Sequence, residues 1–233
     1  MEADAFRCPS MAAQRKIHVG GRTVRCPLWE DGMNLVAIVG SPRKGKATDR
    51  LVDRALEGVQ SGTEGLRVKK INLVDYDIGY CRNCLSCRDA KTRGPMAPCV
   101  LRDDMDGIRE DLLASDLLVV GTPVHMGSVT ALMMTFLERI CWTFAKPEGR
   151  VFTLRGCPVP RSKKRRKAVI IVVSGIVPPI YRRFCDEATA LIRKTLKDSL
   201  SAKTVGDMYA GAVEHRGVEH YFEKAFALGR KLA

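Results

Sequence analysis

Asn34-Leu-Val-Ala-Ile-Val-Gly40-Ser-Pro-Arg-Lys-Gly-Lys-Ala-Thr48 is the stretch whose reading decides the fold. Its first part is a continuous apolar run stopped by Gly40. That length, the β-branched content and the glycine stop describe a strand buried on both faces. A helix is expected to follow from about Thr48 to Gln60. A turn entering a helix offers free backbone N–H groups and the positive end of the helix dipole, which together suit a phosphate. Ser41 and Thr48 add hydroxyl donors there, and Arg43 and Lys46 add positive charge.

Working outward, similar apolar runs end at turn residues. A second strand is expected over Leu66 to Leu73 and a third over Leu117 to Val120, before Gly121. A fourth covers Ala168 to Val173 and a fifth Lys203 to Tyr209. Helices are expected from Asp103, a capping residue, to Ala114, and over Val129 to Trp142, Ile180 to Ser199 and Gly217 to Lys231. Phe144 to Pro160, with its glycines and prolines, reads as an irregular excursion. Strands alternating with helices imply right-handed crossovers and a five-stranded parallel sheet, α/β in class. The order 2-1-3-4-5 suits five strands, and ligands then sit at the carboxyl ends of strands one and three. Residues 1–33 form an N-terminal extension, with a short hairpin expected between Val19 and Val24 around Gly20-Gly21. Residues 34–233 form the main domain, into which a cysteine-rich loop over 74–102 is inserted.

Gly40-x4-Gly45-Lys46 nearly spells a Walker A loop, but that motif next needs Ser or Thr to hold magnesium. Position 47 is Ala, and the third strand ends in Gly121-Thr122-Pro123 rather than in an Asp that would help hold the metal. No G-x-G-x-x-G occurs. A phosphate ligand of another kind therefore competes with a basic turn that binds nothing.

Cys81-x2-Cys84-x2-Cys87-x11-Cys99 is the most informative spacing in the chain, four of its nine cysteines in one loop. Clustered thiols in a reducing compartment point to metal or redox chemistry rather than disulfides. A [4Fe–4S] cluster takes four Cys thiolates. Zinc also accepts four, usually as two separated pairs. Free or redox-switching thiols are the third reading. Cys8, Cys26, Cys141, Cys157 and Cys185 are scattered and read as structural or incidental.

The net charge is +13, from 39 Lys and Arg against 26 Asp and Glu. A basic surface favours acidic partners. No apolar run approaches the roughly 20 residues of a membrane helix. Met1 to Arg25 lacks the apolar stretch of a secretory signal, so a cytoplasmic location is expected. Arg161-Ser-Lys-Lys-Arg-Arg-Lys167 has few aromatic neighbours and fits no nucleic-acid module, so it reads as a solvated loop and nucleic acid is not expected as a partner.

Gly-Ser-Pro-Arg followed by Thr48 resembles the flavin-phosphate loop of the NADPH-dependent FMN reductase and iron–sulfur flavoprotein family. The resemblance covers roughly Asn34 to the C-terminus and implies a flavodoxin-like three-layer sandwich that binds FMN. In the family, the residues matching Ser41, Arg43 and Thr48 hold the phosphate, with Lys46 adding charge here. Thr122-Pro-Val-His-Met-Gly-Ser-Val-Thr-Ala131 is similar to the family's ring-binding loop, which implies that Pro123, Val124, His125, Met126, Gly127 and Ser128 border the isoalloxazine. His125 stands where the family usually has an aromatic residue; an imidazole can stack on the ring, hydrogen-bond near it or influence its proton uptake, or point into solvent. Ser128 or Thr130 can equally cap the next helix. Ser174-Gly175 is the expected third wall.

The cysteine spacing likewise resembles the compact motif of iron–sulfur flavoproteins, with a longer last gap. It implies Cys81, Cys84, Cys87 and Cys99 as ligands of a [4Fe–4S] cluster, with zinc the alternative metal. The implied function is a flavin-dependent oxidoreductase that passes electrons between the cluster and FMN, with no side chain acting as a covalent catalyst. Arg82, Arg88, Lys91, Arg93 and Arg102 would steer an acidic electron donor such as ferredoxin; NAD(P)H is the other donor. Resemblance alone implies a homodimer or homotetramer. Two other functions stay open: a clusterless NAD(P)H-dependent FMN or quinone reductase, and a non-enzymatic redox sensor.

Overall fold

The computed structural model describes residues 32–233 and the backbone of residues 17–19 and 22–24. Contacts divide the chain into Met1–Gly32 and Met33–Ala233. In the first unit, β1 (Ile17–Val19) and β2 (Arg22–Val24) pair antiparallel across the two glycines. Cys8 and Cys26 lie outside the described residues.

The second unit runs β3 (Asn34–Val39), α1 (Ala47–Gln60), β4 (Arg67–Asn72), α2 (Ser86–Asp89), α3 (Met105–Ala114), β5 (Leu117–Pro123) and α4 (Ala131–Phe144). It continues through β6 (Ala145–Val151), β7 (Leu154–Pro160), β8 (Arg166–Val173), α5 (Arg182–Cys185), α6 (Ala188–Leu200), β9 (Ala202–Ala210), α7 (Val213–Arg216) and α8 (Phe222–Arg230). The main sheet has the order β4-β3-β5-β8-β9 and every neighbouring pair is parallel. Counted along the main domain, that is the expected 2-1-3-4-5.

Alternation along β3 explains the layers. Val36 and Ile38 join one core with residues of α3, α4 and α6. Leu35, Ala37 and Val39 join the other with residues of α1 and α8. Successive side chains of a strand point to opposite faces, so an unbroken apolar run is what a doubly covered strand needs. Two glycines set how closely the helices approach the central strands. A Cβ on Gly121 would lie 2.5 Å from Val52 Cγ2 of α1, and one on Gly40 would lie 2.8 Å from Met133 Cβ of α4. Both strands therefore end close against the helices that leave the sheet's carboxyl edge.

Three expectations need correction. The stretch read as an irregular excursion is an antiparallel hairpin, β6 with β7, whose register shifts between Lys146 and Arg150. Both strands carry mostly polar or part-exposed residues, so they lack the alternation that marks a half-buried strand. The helix expected over Ile180 to Ser199 is broken. After a 3-10 turn at Pro179–Tyr181 and the short α5, Asp186 accepts the Thr189 N–H at 2.9 Å and starts α6 anew. The basic run is not simply solvated. Arg166 is only 2% exposed and donates to the carbonyls of Lys164, Leu200 and Leu113. Burial pushes its guanidinium down to about 10, partly opposed by the charge of Asp116. Among the described residues no helix is long and apolar enough to cross a membrane.

Candidate flavin cleft and thiol pocket

At the carboxyl edge of the sheet the phosphate-type loop is held from both sides. Gly40 N–H donates to Gly121 C=O at 2.8 Å, and Thr130 Oγ1 donates to Gly40 C=O at 2.6 Å. Thr130 also accepts from Met133 N–H, so it, rather than Ser128, caps α4. Ser41 Oγ accepts from Arg43 N–H at 3.2 Å and tightens the turn. No side chain caps α1 at Lys46, which leaves first-turn N–H groups for a ligand. Asp49, the acid of that first turn, is neutralised: it accepts from Gly45 N–H and pairs with Lys70 at 2.6 Å. Burial works to lower the Lys70 pKa, but Asp49 and Asp53 outweigh it and hold it above the usual lysine range. Lys44 pairs with Asp75 and Arg50 with Glu219, whereas among the described residues Arg43 and Lys46 have no ion-pair partner. Two unpaired cations, two hydroxyls and an uncapped helix fit a phosphate.

Beside this loop lies a cleft of about 490 Å³. Ser41, Arg43, Lys46 and Thr48 line one end, and Pro123, Val124, His125 and Gly175 line another. Met126, Gly127, Ser128 and Ser174 are not among its walls. His125 and Ser128 exchange two backbone hydrogen bonds of 3.0 Å. Between them Met126 (φ 51°) and Gly127 (φ 80°) both take positive φ, the signature of a type I′ turn. Met126 is wholly exposed at the tip of that turn. Ser174 Oγ instead accepts from Val177 N–H at 3.2 Å.

Sequence reading missed a fourth wall. Val213 and Glu214 of α7, and Val218 just beyond it, line the cleft from the segment after β9. Glu214 lies so close over Gly175 that a Cβ there would sit 2.4 Å from its Oε1. The signal was topological: the carboxyl end of the fifth strand faces the same edge as the others.

The four motif cysteines gather elsewhere. Cys81, Cys84, Cys87 and Cys99 line one small pocket with Arg139 and Trp142 of α4. Cys81 and Cys84 are exposed, Cys87 and Cys99 half-buried, and all seven described cysteines are free. Asn83 and Leu85 take left-handed backbone angles and curl the segment. Hydrogen bonds from the Ser86 backbone and side chain, then the charge of Arg82, pull the Cys84 thiol below the usual range. Burial, and then the charges of Cys99 and Cys81, push the Cys87 thiol up. Thiolates this close repel one another unless a cationic centre binds them. Number and type of donors fit an iron–sulfur cluster. The space between them is only about 30 Å³, roughly one water's share of liquid. Seating a cluster would require the exposed Cys81–Cys87 segment to spread outward. Among the described residues no three Cys, His, Asp or Glu groups come together to hold a metal ion.

The family model for NADPH-dependent FMN reductase matches residues 33–212. An iron–sulfur flavoprotein of Archaeoglobus fulgidus is 30% identical over 204 residues, 86% of this chain and 79% of that protein. Another, of Methanosarcina thermophila, is 32% identical over 107 residues, 46% of this chain and 52% of that protein. Among solved structures, an NAD(P)H:quinone oxidoreductase from Methanothermobacter marburgensis superposes with a TM-score of 0.63 at 16% identity, covering 87% of this chain and 100% of the other. An FMN-dependent NADH-azoreductase from Bacillus anthracis, in complex with FMN, gives 0.61 at 13% identity, covering 86% and 99%. These two show the shared fold. Fold, cleft and family match together define a flavin-dependent oxidoreductase of the flavodoxin-like class. The chain belongs to the NADPH-dependent FMN reductase family, with iron–sulfur flavoproteins among its relatives.

Proposed function

We propose that this chain holds FMN in the cleft and a [4Fe–4S] cluster on Cys81, Cys84, Cys87 and Cys99, and moves electrons between them. The observation that carries the reading is the convergence of four thiols of one loop on a single pocket in a chain with a flavin-type cleft. Bound FMN would supply a two-electron store able to release electrons singly, and the cluster a one-electron relay.

The chain's own part is binding and placement. Arg43, Thr48, Ser41 and Lys46 would hold the phosphate, and Pro123, Val124, His125 and Gly175 would border the ring. Met126, Gly127 and Ser128 would shape the turn beside it, and Ser174 would fix the third loop through Val177. Helix α4 links the two places: Thr130 secures the phosphate loop at its start, and Arg139 reaches the thiol pocket about 14 Å further along its axis. Arg82, Lys91 and Arg93, without ion-pair partners among the described residues, offer a basic rim to an acidic donor such as ferredoxin. Exposed Met126 and Ile176 directly follow His125 and Gly175 of the cleft and favour pairing of subunits beside it.

The narrow thiol pocket favours a second reading, a clusterless NAD(P)H-dependent reductase. Stopped-flow reduction under anaerobic conditions separates them. Fast flavin bleaching by reduced ferredoxin, slowed by salt and by reversing Arg82 and Arg88 to Glu, supports the first. Fast bleaching by NADPH in an iron-free protein supports the second and overturns the first.

A further inference from the structure

The cysteine loop leaves the fold after Gly79 and rejoins it at Asp103, and one side chain closes that neck. Arg139 is buried, with 1% of its side chain exposed. Its Nη1 donates to Gly79 C=O at 2.6 Å and to Asp103 Oδ2 at 2.5 Å, and its Nη2 donates to Asp103 Oδ1 at 3.0 Å. Asp103 in turn accepts the Gly79 N–H at 3.0 Å and the Met105 N–H at 3.1 Å. One residue outward, Asp104 accepts the Asp77 N–H at 2.7 Å. The two ends of the loop are thus joined before any cysteine is reached.

The same guanidinium lines the pocket of the four thiols. The other cation lining it, Arg82, is exposed and screened by solvent. The Arg139 charge therefore faces both the neck, through Asp103, and the sulfur site whose pocket it lines.

We infer that Arg139 is a positioning residue for the thiol site, which ties the loop's ends through Asp103 and Gly79 and sets a buried positive charge against whatever anionic centre the cysteines hold. This rests on the cluster reading. A cluster that gains one electron gains one negative charge, with no bond made or broken. A buried cation beside it favours that charged form more than an exposed one does, because the local dielectric is low. Arg139 therefore raises the reduction potential, and Asp103, across the same guanidinium, partly offsets it.

The two partners make opposite contributions to the potential and the same contribution to the neck, and the test uses that. The full chain is reconstituted anaerobically as parent, Arg139→Gln, Arg139→Lys and Asp103→Asn. Midpoint potentials are read by spin resonance in a dithionite titration, and amide exchange is followed over 80–102. All three variants should exchange faster there, because each loses the paired fork. The potential should shift more negative in Arg139→Gln, more positive in Asp103→Asn, and stay near the parent in Arg139→Lys. Shifts of the same sign in Arg139→Gln and Asp103→Asn, or no shift in either, overturn the inference while leaving the cluster in place. If Arg139→Gln does not hold iron, a positive shift in Asp103→Asn with Arg139→Lys near the parent supports the inference, and a negative shift or none in Asp103→Asn overturns it. A parent that takes up no iron removes the cluster reading and this inference with it.

Discussion

The loop from Gly40 to Thr48 and the loop over 80–102 are held in opposite ways. The first is short, follows a core strand at once and is pinned by Gly121 and Thr130, so its donors stand ready before a ligand arrives. The second is long, contains one four-residue helix, and is fastened at its neck, with further ties from Ala97 N–H to Thr143 C=O at 2.7 Å and from Arg161 Nη2 to Cys87 C=O at 2.9 Å. Its cysteines lie on the outer part, two of them exposed. A phosphate site can be made from backbone and fold alone. On the proposed reading the cysteine loop would gain its last order from what it binds, since metal–thiolate bonds couple binding to folding.

The sharpest way to break this contrast is at the neck. Arg139→Gln leaves the half-buried Asp103 without its cationic partner, and an unmatched group of that kind costs about 1–3 kcal/mol. Denaturant unfolding of metal-free protein should show that loss. Arg43→Ala, on an exposed residue of the preformed loop, should stay within about 0.5 kcal/mol of the parent. Equal stabilities would mean that the neck does not hold the loop.

A ligand effect should show the converse. Arg43→Ala combined with Thr48→Ala removes two donors from a dianionic phosphate. Charge-assisted bonds contribute about 1.5–3 kcal/mol each, so FMN affinity should fall by about a hundredfold or more, with iron content unchanged. Fluorescence titration with FMN measures it, and an unchanged affinity would move the phosphate elsewhere.

Acid should loosen one loop before the other. Burial works to raise the Asp103 pKa, but the Arg139 hydrogen bond and the Gly79 and Met105 N–H groups hold it below the usual carboxylate range. A carboxylate with a depressed folded pKa stabilises the fold above its unfolded pKa of about 3.9 and loses that contribution as pH falls through the folded value. Amide exchange over 80–102 in metal-free protein should therefore accelerate below about pH 4, while 41–48 changes less. The smallest expected effect lies within the cysteine loop. Cys84, exposed and lowered by Ser86, should react with iodoacetamide faster than Cys87, which burial raises. Mass spectrometry of partly alkylated metal-free protein would show the order.

The same contrast explains what could be read from sequence. Asn34 to Thr48 was legible because its signals are local: an apolar run, a stop, then hydroxyls and cations at a helix start. The cysteine spacing was legible for the same reason. Arg139 was not, because it is one of two adjacent charged residues in the otherwise largely apolar run Ala131–Phe144, and its partners, Gly79 and Asp103, are distant in sequence. Glu214 joins the cleft only through the sheet's topology. Arg166 hid inside a basic run that looked like solvated loop, because its partners are carbonyls and carry no sequence signature. The β6–β7 hairpin escaped notice because polar, part-exposed strands give no period.

Cofactor content per chain tests the central claim most directly. The full chain is reconstituted anaerobically with FMN, iron and sulfide, desalted, and assayed for all three, in parent and in Cys99→Ser. The account expects about one FMN with about four irons and four sulfides in the parent, as a [4Fe–4S] cluster requires. In Cys99→Ser it expects FMN retained and iron and sulfide sharply reduced. One FMN with no iron in the parent, or a normal cluster in Cys99→Ser, would contradict it.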